Sequence, residues 1–177
     1  GDKAKSLESS SNFFIAFGLI NRKLDNGPIS IQSELYKKLK SINPAFSADS
    51  WTLIEFCRLA FLLQLNPIRS KEKIIKLLAS ADMKEQVVIY KAFQYLENAE
   101  EFLLNIIDGI RTNMIDVFDA IALENAFAFT YFREDAWNHM VLKAIFMERP
   151  IYRIYGVDER RNAKLAGILY DFVQERW

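Results

Sequence analysis

Apolar residues recur along the chain at spacings of three and four and almost nowhere alternate, so the pattern reads as helical throughout. Phe13, Phe17, Ile20 and Leu24 form one stripe over 12–24, which Gly27-Pro28 closes. Ile31, Leu35, Leu39 and Ile42 predict a second helix over 30–43, ending before Pro44. Thr52-Leu53-Ile54-Glu55 has the form of a capping box, in which a hydroxyl and a carboxylate satisfy free amides, and an apolar run follows to Leu65. Ser70 is expected to open the next helix, through Ile74, Ile75, Leu77 and Leu78. Residues 82–85 and 98–101 repeat the cap-then-acid pattern before helices near 83–96 and 99–110. Met114, Val117, Phe118 and Ile121 mark another helix over 113–124. Trp137, Met140, Val141, Ala144 and Ile145 mark one over 134–147. After a loop over 152–161, a last helix carries Leu165, Ile168, Leu169, Phe172 and Val173. The expectation is an all-α fold of about eight or nine helices with short connections, stacked as antiparallel pairs in a HEAT-like α-α superhelix. Residues 1–10 read as a flexible N-terminus and 11–177 as a single helical domain.

Composition agrees with a globular chain: 177 residues, 51% hydrophobic and 26% charged. Twenty-three basic residues balance 23 acidic ones, so no global field gathers nucleic acid, and no nucleic-acid partner is expected. The balance is uneven along the chain. Residues 1–76 hold 12 basic and 7 acidic residues, whereas 77–132 hold 3 and 9, a split that suggests complementary layers of one fold. The single Cys57 sits in an apolar run and reads as a buried small hydrophobe. With His139 the sole histidine there is no conventional zinc set, and no cofactor is expected, although carboxylates alone can hold magnesium. The apolar stretch 13–20 is too short to span a bilayer, so no membrane span and a cytoplasmic location are expected.

Three constellations carry candidate chemistry. His139 lies between Asp135 and Lys143 at i−4 and i+4, either a general base oriented by Asp135 or a solvated charge ladder. Asp116 and Asp119, with Asp108 and Glu124 on neighbouring turns, are either paired carboxylates for proton transfer or magnesium, or a solvated face. The 152–162 loop concentrates Arg153, Asp158, Arg160, Arg161 and Asn162, either to bind an anion near the last helix or as an Arg-Asp clamp that pins the loop. Phosphate loops, nucleophile elbows and zinc-protease motifs are absent from the sequence.

Several blocks in one order resemble the EboA-domain family: Arg111-Thr112-Asn113-Met114; Val117 through Asn125; Ala136-Trp137-Asn138-His139-Met140-Val141-Leu142-Lys143-Ala144; Arg153-Ile154 with Gly156 through Asn162; and Glu175-Arg176-Trp177. The likeness covers roughly the last 70 residues, while the first hundred share helix rhythm and the Trp51-Thr52-Leu53 entry to a helix. It departs at His139, where the family has Gln, and at Tyr152 and Gln174, where His, or at the latter His or Asp, often stands. The resemblance implies an all-helical bacterial protein of a secondary-metabolite gene cluster. Its implied partners are other proteins of that cluster, among them a membrane prenyltransferase-like protein, and a hydrophobic metabolite. The expected function is a non-catalytic scaffold or small-molecule-binding protein, with a carboxylate enzyme using Asp119 and Asp158, and magnesium, as the alternative. The expected surface joins Arg111, Lys143, Arg153 and Arg160 as anion contacts. Asn113, Asn125 and Asn138 would orient the ligand there, Trp137 would form an apolar wall, and Asp119, Asp158 and Asn162 count among the ligand-binding residues.

Overall fold

A computed structural model describes residues 10–24, 27, 29, 31, 33–65 and 67–176. Among these there are ten α-helices and no strand, as the periodicity requires. They are α1 (Ser10–Lys23), α2 (Ser33–Ile42), α3 (Leu53–Leu63), α4 (Pro67–Ser80), α5 (Met83–Ala92), α6 (Leu103–Gly109), α7 (Ile115–Ala122), α8 (Ala126–Tyr131), α9 (Glu134–Phe146) and α10 (Ala163–Arg176). Short 3-10 turns at Ala48–Ser50, Phe93–Tyr95, Ala99–Phe102 and Ile151–Arg153 join them. Of the first ten residues, only the backbone of Ser10 is described.

Local signals set most boundaries. Thr52 and Asp82 each accept the amide of the residue three on, Glu55 and Glu85, whose carboxylates return to the cap amides, so both capping boxes form. Asn98 does not cap: its backbone is left-handed (φ 56°) and its side chain makes no cap bond, so the chain enters α6 through a 3-10 turn. α4 begins at Pro67 rather than Ser70, because proline at the first helical position has its φ already set and its missing N–H costs nothing. α8 is an element the periodicity alone did not single out; six residues are too few to show a stripe, and Asn125 starts it by accepting the Phe127 amide at 2.9 Å.

The closest packing joins helices two apart in the chain. α5 against α7 is the tightest pair, with α1 on α3, α3 on α5, and α9 extending the row beyond α7. Ion pairs fix the α3/α5 register: Glu55 with Lys91, and Arg58 with Glu85, run in opposite senses along the two helices, which are therefore antiparallel. The core is one contiguous cluster in which Phe13, Phe17, Phe93 and Phe118 have no exposed surface. Each such ring contributes roughly 1.5–3 kcal/mol. Gly109 ends α6 against Tyr90, where an added Cβ would sit 2.6 Å from the ring. Cys57 is half-buried rather than buried. The charge split along the chain has a structural counterpart. Arg58–Glu85 and Lys71–Glu101 join the basic first part to the acidic middle, and Arg149–Asp119 and Arg153–Glu124 join the middle to the last part.

Candidate functional site

Helical spacing brings three polar-edged stripes together along the α1–α3–α5–α7 row. α5 presents Met83, Lys84, Val87 and Lys91; α7 and its C-cap present Asp116, Asp119, Ala120 and Leu123; and Thr52, Ile54, Glu55 and Arg58 come from α3 and its cap. With Asn21, Ser50, Glu124 and Arg153 they line a cleft of about 620 Å³. Its apolar floor is Ile54, Val87, Ala120 and Leu123, with the exposed Met83 beside them, and the rest of its lining is mostly charged.

Most of the charged lining groups are matched within the protein. Glu55 accepts the Thr52 amide at 2.9 Å and also takes Lys91 at 3.3 Å, while Lys91 donates to the Ser50 carbonyl at 2.7 Å and lies over the Trp51 ring. Arg58, 3% exposed, donates to Glu85 at 3.1 Å and to the Phe17 carbonyl at 3.4 Å, and its guanidinium lies 5.0 Å from the Phe17 ring centre. Asp119 accepts two parallel bonds from Arg149, Nε to Oδ1 at 2.8 Å and Nη2 to Oδ2 at 2.6 Å. Arg149 reaches it because α9 ends in a Schellman turn: Glu148 is left-handed (φ 55°) and the Arg149 amide returns to the Ala144 carbonyl at 2.8 Å. The hydrogen bond and charge of Asp119 raise the Arg149 pKa above its ordinary value, outweighing the opposing effect of burial.

Glu124 closes the end of the cleft in a left-handed conformation (φ 52°), which a non-glycine residue keeps only when neighbours hold it. Its carbonyl accepts from the buried Asn43 at 2.8 Å, its amide donates to the Arg153 carbonyl at 2.8 Å, and its carboxylate takes the Arg153 Nε at 2.9 Å. Burial acts to raise the Glu124 pKa, but the Arg153 hydrogen bond and the charges of Arg153 and Lys91 hold it below the usual value. Asn43 also donates to Tyr95 at 3.3 Å, and burial pushes that hydroxyl up to about 12, against the lowering effect of the Asn43 bond.

Of the residues singled out from sequence, Asp116, Asp119, Glu124 and Arg153 line this cleft. Most of the others hold the C-terminal helices together. Asn138 and Asn162 exchange amide bonds at 3.1 and 2.8 Å, and Asn162 also accepts the Leu165 amide at the start of α10. Asn125, 3% exposed, caps α8 and donates to the Ala120 carbonyl at 2.9 Å. Arg160 donates to the carbonyls of Ala128, Phe129 and Phe132 at 2.9, 3.1 and 2.8 Å, and its guanidinium lies 4.5 Å from the Trp137 ring centre. Trp137 is 1% exposed, so its face meets Arg160 rather than an open wall, and its buried Nε1 has no hydrogen-bond partner.

The loop is thus pinned by arginine on carbonyls and by Arg153 on Glu124; the Asp158 carboxylate is 80% exposed and 3.9 Å from Arg161. The His139 ladder also resolves differently: Asp135 pairs with Lys164 of α10 at 2.5 Å, and Lys143 turns to the Thr112 carbonyl at 2.6 Å. Arg111 and Asn113 are exposed, and Arg111 pairs with Asp108 at 3.4 Å. Asp119 and Asp158 line separate depressions. Among the described residues no group of three His, Cys, Asp or Glu side chains is placed to hold a metal ion.

A family model described as "Metabolite traffic protein EboA" matches residues 2–177. The chain belongs to the EboA family. Membership reaches well beyond the C-terminal blocks that carry the visible likeness, to helices α1–α5 that supply half of the cleft. No curated protein and no solved structure matches the chain. No helix among the described residues is long and apolar enough to cross a membrane.

Proposed function

We propose that this EboA-family chain is a non-catalytic carrier. It binds a small metabolite in the α3–α5–α7 cleft and passes it to other proteins of the same bacterial gene cluster, in the cytoplasm, during traffic of a secondary metabolite. The observation that carries this reading is the cleft itself. At about 620 Å³ it falls in the range of small-molecule sites, and an apolar floor with a few placed polar groups is the usual build of such sites. Its rim favours binding over chemistry, because Glu55, Glu124 and Asp119 each already accept from a cation and are held in place by it. Lys84 and the exposed Asp116, on facing helices, add an unlike-charged pair of rim groups. A neutral or zwitterionic polar ligand with an apolar face fits such a rim better than a polyanion does.

The test is native mass spectrometry of the protein after incubation with a small-molecule extract of its host. The reading predicts a retained adduct of small-molecule mass that is lost in Val87→Trp, which fills the cleft floor. A bare protein mass, or an adduct that survives Val87→Trp in a folded protein, would overturn it.

A further inference from the structure

A second depression, of about 450 Å³, lies on the far part of the fold and shares no residue with the cleft. His139, Leu142, Lys143 and Phe146 fall at i, i+3, i+4 and i+7 and so form one stripe of α9, and Arg111 faces them from the connection between α6 and α7. Its charge is one-sided where the cleft's is mixed. The lining holds two cations and an imidazole, with no carboxylate among the lining residues.

Lys143 is the telling group. Its ammonium donates to the Thr112 carbonyl at 2.6 Å and lies 5.7 Å from the Phe118 ring centre, contacts that leave N–H bonds to spare. Burial alone lowers its pKa, with no carboxylate charge opposing that effect. Every other half-buried lysine or arginine described above has a carboxylate or a set of carbonyls to itself. Arg111 is 72% exposed and held only by an i,i+3 contact with Asp108, so it is free to swing toward a ligand at little cost. Beside these cations the depression offers apolar surface: Phe146 is 55% exposed and meets Phe172 of α10 edge to face.

We infer that this depression binds an amphiphilic anion, a phosphate or carboxylate group held by Arg111 and Lys143 with His139 at its edge, whose apolar tail lies on Leu142 and Phe146. Such an anion supplies the countercharge that Lys143 lacks and covers apolar surface that water now faces. Both a free alkyl phosphate and an anionic lipid headgroup have this chemistry. The site is independent of the metabolite cleft and stands or falls separately from it.

Titration with octyl phosphate, octyl glucoside and inorganic phosphate, followed by amide NMR, tests the site. Octyl phosphate is expected to shift the amides around Arg111 and along 139–146 and to bind at least about tenfold more tightly than either control. Arg111→Gln, on an exposed side chain, and Lys143→Met, which keeps the stem length, are each expected to weaken binding several-fold. Equal binding of octyl glucoside, shifts centred elsewhere, or undiminished binding in the folded Arg111→Gln and Lys143→Met variants would overturn the inference. Sedimentation with phosphatidylglycerol vesicles, but not phosphatidylcholine vesicles, assigns the anion to a lipid headgroup. Binding of octyl phosphate without sedimentation assigns it to a free anion.

Discussion

Arg160 offers a quantitative check on how the C-terminal half is held. In Arg160→Met the stem is kept and the guanidinium is lost. The Ala128 carbonyl still accepts the Phe132 amide at 3.1 Å, but Phe129 and Phe132 lose the donors that reach them at 3.1 and 2.8 Å. Leaving such partly buried carbonyls unpaired costs about 1–3 kcal/mol each, and losing the contact with the Trp137 ring removes roughly 0.5–1 kcal/mol more. Burial lowers the Arg160 pKa, so the native pairing already carries a desolvation cost, and the lower half of the range, about 3 kcal/mol in total, is the fair expectation. For a chain of this length that corresponds to a fall in Tm of roughly 6–12 °C. Arg161→Met is the control: its side chain is 78% exposed in an i,i+3 pair, and the change is expected to stay within about 0.5 kcal/mol. Urea unfolding of both variants gives the comparison. Similar midpoints for the two would refute the claim that arginine on carbonyls, and not an Arg-Asp clamp, pins the loop.

Two further outcomes follow from the same region. Gly156 has φ +75° and an added Cβ would run into the Phe129 ring, so Gly156→Ala is expected to cost roughly 2–5 kcal/mol in urea unfolding, and a near-neutral result would place that loop elsewhere. Glu124 has a folded pKa below its ordinary 4.5, so its pair with Arg153 adds stability that is fully present above that value and is lost as pH falls through the lower folded value. Glu124→Gln should therefore destabilise by roughly 0.5–1 kcal/mol at neutral pH, with the gap to the parent protein closing as pH falls below the ordinary carboxylate range; a gap unchanged by acidification would contradict the sign.

What could be read from sequence was mainly local. The capping boxes at Thr52 and Asp82 were legible because each needs only four consecutive residues. Asn98 misled because the same residue pattern caps a helix only from extended backbone, and here the chain turns left-handed. Asn125, Asn138, Arg160 and Asn162 stood out as polar residues in ordered blocks, but sequence does not say whether such groups face a ligand or satisfy backbone and one another. The cleft depends on packing between helices two apart, which no single stripe reveals. One signal did point to it: Arg58 interrupts the apolar run 56–63, and a charge on a core helix needs a partner, which Glu85 supplies.

The central claim, that the α3–α5–α7 cleft is where a metabolite is carried, is tested most directly by methyl NMR of the protein with the bound fraction of its host's extract. The account predicts shifts concentrated on the methyls of Ile54, Met83, Val87 and Leu123, with those of Leu142 unmoved. Shifts scattered over the surface, or none at those four lining residues while a ligand is demonstrably bound, would contradict it.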